Sequence, residues 1–86
     1  MISFNTVALE NVERALALAG SNKSRILDVT IWLSDIDRDY SNMNVIYESW
    51  LAKDSTEAPC RACIQAKLFA PNHLIEIKVI AATGDQ

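Results

Sequence analysis

Three side chains concentrate the chemistry open to this 86-residue chain: Arg61, Cys63 and Glu76. Arg61 and Cys63 lie two residues apart in the alternating run from Cys60 to Leu68, so an extended strand carries both on one face. Glu76 falls in a second alternating run and is expected on the same groove, one strand away. A guanidinium can clamp a substrate carboxylate through two parallel hydrogen bonds while a nearby carboxylate positions or activates water. The plain alternative is a cross-strand Arg61–Glu76 pair, worth under about 1 kcal/mol if exposed.

Other motifs carry less. Cys60-Arg61-Ala62-Cys63 has C-x-x-C spacing, but at i and i+3 of a strand the two sulfurs point to opposite faces and can neither bridge nor share a metal. The single histidine, His73, falls in a turn without a ligand set around it, so neither a metal nor a cofactor is expected. Asn44 interrupts the apolar stripe of a helix and must find hydrogen bonds if buried, which suits a structural tether. Tyr40, Tyr47 and Trp50 recur at helical spacing and read as core. There is no Ser-His-Asp set and no phosphate-cradling glycine loop.

The elements that must position these residues follow from periodicity. Phe4, Ala8, Val12, Ala15, Leu16 and Ala19 mark an amphipathic helix, capped by Ser3 or Asn5 and stopped at Gly20. Ile26 to Leu33 alternates, with Leu27, Val29, Ile31 and Leu33 on one side. Asp35 or Asp37 is expected to cap a second helix running to about Ala52, whose stripe is Tyr40, Met43, Asn44, Tyr47, Trp50 and Leu51. A polar loop covers 53–59, a turn sits at Pro71-Asn72, and a last strand carries Ile75, Ile77, Val79 and Ala81 on one face. Thr83 to Gln86 reads as a frayed tail.

The order is helix, strand, helix, strand, strand. The middle three elements form a βαβ unit with parallel strands, and the short connection at 70–73 favours an antiparallel final pair, so the sheet is mixed. Both helices are expected on the face carrying Leu27, Val29, Ile64, Ile77 and Val79. The opposite face then presents Thr30, Trp32, Arg61, Cys63, Gln65, Glu76 and Lys78, and a three-stranded sheet so exposed invites a subunit interface.

Composition narrows the partners. Half the residues are apolar and 22% are charged, which fits one packed domain over residues 1–86 and excludes a disordered or linker-dominated chain. A net charge of −3 argues against nucleic acid, whose binders neutralise phosphates with a basic stripe. No apolar run reaches the roughly 18 residues of a membrane span, and the first residues lack a secretory leader, so a cytoplasmic location with reduced thiols is expected.

Pro59-Cys60-Arg61-Ala62-Cys63-Ile64 and Ile75-Glu76-Ile77-Lys78-Val79-Ile80-Ala81-Ala82 resemble the closing signature of the Rid (YjgF-type) family. Leu27-Asp28-Val29-Thr30 and Met43-Asn44-Val45-Ile46-Tyr47 extend the resemblance upstream, so it runs from about Leu9 to Ala82. It implies a chorismate-mutase-like α+β two-layer sandwich, a mixed sheet with two helices on one face, assembled as a homotrimer through the helix-free faces. It further implies cofactor-free hydrolysis of reactive 2-imino or enamino acids to 2-keto acids and ammonia. In that scheme Arg61 binds the substrate carboxylate, Glu76 orients the attacking water and Cys63 lines the pocket, so positioning replaces a nucleophile. The family pattern also includes N-terminal strands that supply a Tyr and small Ser/Gly positions to the pocket, whereas this chain opens at the first helix. A non-catalytic module holding a small carboxylate metabolite in an intersubunit cleft is the alternative. Ribonuclease activity, attached to some relatives, is disfavoured by the acidic balance.

Overall fold

In a computed structural model of the chain, residues 4–52, 59–69 and 73–83 are described. Helix α1 spans Phe4–Leu18, a 3₁₀ turn spans Lys23–Arg25, strand β1 is Ile26–Leu33, helix α2 is Ile36–Ala52, and strands β2 and β3 are Cys60–Gln65 and Ile75–Ala81. The expected cap at Ser3, the loop residues 53–58, the turn at Pro71-Asn72 and the tail 84–86 lie outside the described residues.

Local signals set most element ends. Gly20 adopts φ 77° just past α1, a left-handed backbone that an L side chain resists. Ser21 then turns the chain, its backbone N–H donating to Leu16 O at 2.8 Å and its hydroxyl to Ala82 O at 2.6 Å, which ties the end of α1 to the end of β3. Asp35 caps α2 as expected, its Oδ1 accepting from Arg38 N at 3.1 Å. A second acceptor comes from outside the helix: Gln65 Oε1 takes the N–H of Ile36 at 3.0 Å, anchoring the start of α2 to the end of β2.

The sheet is mixed, as expected, but its order is β2-β1-β3. β1 pairs parallel with β2 and antiparallel with β3. The last two strands are therefore not partners, and β1 separates them. The expected β2–β3 hairpin gives way because β1 is the most apolar strand and gains most from the central position, where both edges are paired and Ile31 and Leu33 become wholly buried.

Both helices cover one face, and the core they share with the sheet holds Leu9, Leu16, Ile26, Val29, Ile31, Leu33, Met43, Tyr47 and Leu51. Two sequence expectations about this core are corrected. On α1 the inward stripe runs Asn5, Leu9, Val12, Leu16, while Ala15 and Ala19 are exposed: the larger aliphatic side chains take the core and the alanines yield it. On β1 a register irregularity between Ile26 and Asp28 breaks the alternation. It turns Ile26 inward and leaves Leu27 60% exposed on the other face, so Leu27 is not a core residue.

A clasp binds the outer ends of the helices. Lys23 Nζ donates to Trp50 O at 2.6 Å and lies 5.0 Å from the Trp50 ring centroid, and the Trp50 indole N–H donates to Glu13. One lysine and one indole thus join α1, the 3₁₀ turn and α2.

Candidate functional site

Strand register decides which residues can share a site. Val29 pairs with Arg61 and Ile31 with Cys63 across β1 and β2, and directly paired residues point to the same side of a sheet. Val29 and Ile31 face the helices, so Arg61 and Cys63 do as well. This corrects their expected place on the helix-free face, together with that of Gln65, which pairs with Leu33. Trp32 pairs with Glu76 and with Ile64, and Thr30 with Lys78 and with Ala62, so these line the open face. Ile64, expected inside, is on the outside.

Within one chain Arg61 and Glu76 are therefore on opposite faces of the sheet. Their strands flank β1, which alone separates them by roughly 10 Å at the usual interstrand spacing. No side-chain rotation brings them into one crevice. The adjacent-strand groove expected from alternation is not formed inside a single copy.

What Arg61 meets instead is α2. Tyr40, Asn44 and Tyr47 fall at i, i+4 and i+7 and so lie along one side of the helix. Arg61 Nη1 donates to Asn44 Oδ1 at 2.7 Å and Nη2 donates to the Tyr40 hydroxyl at 3.3 Å. The guanidinium carbon is 5.1 Å from the Tyr47 ring centroid and 5.9 Å from that of Tyr40, within cation–π range of both. Asn44 Nδ2 in turn donates to Glu48 Oε1 at 2.8 Å. The tether reading of Asn44 is supported, and Arg61 is what it tethers. Tyr47 is core as expected, whereas Tyr40 is 38% exposed and helps frame the cation.

This arrangement places a positive charge, half-buried, over two aromatic rings with a neutral acceptor on one side. Among the described residues two of the five N–H donors of Arg61 are engaged, which leaves donors for an anion. Burial pushes the Cys63 thiol above the ordinary range and the Arg61 charge pulls only part of the way back, so Cys63 stays protonated near neutrality. Burial raises Tyr47 in the same manner, against the same charge. Cys63 is thus an apolar wall beside Arg61 and not a thiolate nucleophile.

Cys60 pairs with Asp28 and points to the open face, Cys63 to the helix face, and both are free thiols, as the i and i+3 spacing on a strand requires. On this basis iodoacetamide at pH 8 is expected to alkylate exposed Cys60 several-fold faster than Cys63, read by intact mass and peptide mapping. Equal rates would contradict the burial of Cys63. Among the described residues no three of His, Cys, Asp and Glu gather as a metal site. His73 is exposed and stacks on Phe69, centroids 6.3 Å apart, beside a groove of about 550 Å³ lined by Ser34, Gln65, Lys67 and Phe69. None of Arg61, Cys63 and Glu76 lines that groove.

Sequence reasoning missed Asn44, Tyr40 and Tyr47 as the groups that hold Arg61, and Gln65 as the anchor of α2. The available signal was that Asn44 is the polar break in the stripe facing β2.

Two helices on one face of a mixed sheet, with Arg61 held between the sheet and α2, define an α+β sandwich. Residues 5–83 match the family described as Endoribonuclease L-PSP, and the chain belongs to that family, the Rid/YjgF group with its chorismate-mutase-like fold. It is 41% identical over 78 residues to the RutC family protein YoaB of Escherichia coli (strain K12), covering 91% of this chain and 64% of that protein. The crystal structure of NMB1025, a member of the YjgF protein family from Neisseria meningitidis, superposes with TM-score 0.81 at 38% identity, over 91% of this chain and 63% of the other. "Putative reactive intermediate deaminase TdcF" of Escherichia coli (strain K12) is 27% identical over 75 residues, 87% of this chain and 57% of its own length. The chain spans between 57% and 64% of the length of these relatives. Among the described residues no helix is long and apolar enough to cross a membrane.

Proposed function

We propose that the chain is a Rid-type hydrolytic deaminase unit that takes reactive 2-imino or enamino acids to 2-keto acids and ammonia. The observation that carries this reading is the Arg61 guanidinium, held by Asn44 and framed by Tyr40 and Tyr47 beside Cys63, with donors left for a carboxylate. Arg61 fixes the substrate carboxylate and Cys63 walls the pocket. Placing a labile imine carbon next to oriented water then supplies the acceleration, without metal, cofactor or covalent intermediate.

Glu76, the proposed water-orienting carboxylate, faces away from Arg61 in its own chain, so in this reading the two meet across an interface. Glu76 of one copy serves Arg61 of another, in a homotrimer where the open face of one sheet meets the β2 edge of its neighbour, the edge strand that carries Arg61. The open face, with Trp32, Ile64 and Ile80 among Glu76 and Lys78, has the mixed character of such an interface. Residues 1–86 form one domain in this proposal, and the protein works in the cytoplasm.

The separation of Arg61 from Glu76 also favours a second reading, a binding module that holds a small 2-keto carboxylate without turnover. One experiment separates the two. Freshly generated 2-iminobutanoate is mixed with the protein and ammonia release followed, alongside calorimetric titration with 2-ketobutyrate. Ammonia released faster than by spontaneous decay is the expected result. Binding with unaccelerated decay leaves the binding module, and neither effect removes both readings.

A further inference from the structure

The two hydrogen bonds that restrain Arg61 differ in kind. Asn44 accepts from Nη1 at 2.7 Å in a part-buried setting, whereas Tyr40 accepts from Nη2 at 3.3 Å at the exposed end. The first has the length of a charge-assisted bond and the second exceeds the ordinary range for N–H donors. Asn44 is also fixed from behind. Arginine can only donate and an ionised glutamate can only accept, so with Arg61 on one side and Glu48 on the other the amide of Asn44 has one satisfied orientation. Tyr40, being 38% exposed, can exchange its bond for one to water.

A ligand carboxylate offers the guanidinium two ionised acceptors, each stronger than a neutral phenol. Of the two restraints, the long, exposed Tyr40 bond is the one it can displace at small cost. We propose that Tyr40 is a displaceable latch on Arg61, bonded to Nη2 until an incoming carboxylate releases it, while Asn44 backed by Glu48 is the permanent anchor. Both are positioning residues, and the proposal rests on the carboxylate-binding role of Arg61 given above.

The two residues then have opposite signs. Tyr40→Phe keeps the ring 5.9 Å from the guanidinium and removes only the competing oxygen, so carboxylate affinity rises. Asn44→Leu frees the guanidinium, so affinity falls. A residue that merely supports the fold cannot tighten binding when it is truncated.

Calorimetry on the full chain with 2-ketobutyrate is paired with nitrogen-15 spectra of the arginine side chains. The Kd of Tyr40→Phe is expected to fall about threefold to tenfold, the equivalent of one net hydrogen bond, and that of Asn44→Leu to rise about tenfold. In the ligand-free state the Arg61 Nη protons are expected to show hindered rotation in the wild type and Tyr40→Phe and to average in Asn44→Leu. An unchanged or weakened Kd in Tyr40→Phe overturns the latch, and a wild-type guanidinium spectrum in Asn44→Leu overturns the anchor. Wild-type binding that Arg61→Ala abolishes, with Tyr40→Phe no tighter, overturns the latch alone. Absence of binding in the wild type and in Tyr40→Phe overturns the latch and the carboxylate role of Arg61 together.

Discussion

Replacing Arg61 with alanine is expected to lower affinity for a 2-keto acid by roughly tenfold to 140-fold and to return imine hydrolysis to its spontaneous rate. The range follows from hydrogen bonds to charged groups, which contribute about 1.5 to 3 kcal/mol when a partner is removed, at 1.4 kcal/mol per tenfold change in affinity. Fold stability should change little. Arg61 is half-buried, and its loss releases Asn44, Tyr40 and Tyr47 from a contact without opening the aliphatic core, which lies under Val29 and Ile31. Calorimetry and ammonia release, with circular dichroism to show retained folding, check this. An Arg61→Ala protein that still binds and still hydrolyses removes the guanidinium from the mechanism. Arg61→Lys is the sharper control: it keeps the charge but loses the planar fork, so it should recover only part of the affinity.

Leu33→Ala is expected to cost about 3 kcal/mol of folding stability, within the range for leaving a cavity in place of a buried leucine. Leu33 is 0% exposed, at the end of the central strand between Gln65 and Ile75, with both edges of β1 occupied by neighbours that cannot readily collapse into the gap. For a domain of this size that loss corresponds to a fall in Tm of roughly 12 to 24 °C. Urea unfolding followed by circular dichroism measures it. A cost under about 1 kcal/mol would mean that β1 is not the centre of the core. Ile64→Ala on the open face is the companion measurement: 46% exposed in a single copy, Ile64 should cost far less unless another copy covers it.

The stability of the same fold should also decline in alkaline solution. Cys63 and Tyr47 have their folded-state pKa values raised by burial, so between the unfolded and folded values the folded chain holds protons that the unfolded chain has released. Their contribution is intact below about pH 8.5, the unperturbed thiol range, and is lost as the pH climbs through the raised values. The Arg61 charge beside both limits the effect.

Element identity was legible because it depends on neighbours in sequence. Gly20 ends α1 for want of a Cβ, Asp35 starts α2 by accepting an N–H within its own first turn, and the alternation of β1, β2 and β3 needs only the two-residue period of an extended chain. The same period put Arg61 with Cys63, and Cys60 apart from Cys63, and the structure agrees on both. The residue types of the closing motif were enough to imply the family to which the chain belongs.

Alternation defines two faces of a strand but does not say which one is covered. That required the pairing of Val29 with Arg61 and the seating of α2 over β2, secured by Gln65, and both are contacts between residues distant along the chain. Apolar bookkeeping favoured Ile64 as the inward residue of β2, and it failed because the aromatic and amide groups of α2 make a place for a guanidinium that an aliphatic core would not. The strand order, the irregularity that exchanges Ile26 for Leu27, and the division of Arg61 from Glu76 by the whole thickness of the sheet were likewise decided only in three dimensions. The amino-acid order alone determined which groups could do chemistry. Tertiary pairing determined which of them can meet inside one copy, because a one-residue change of register carries every side chain of a strand to the other face.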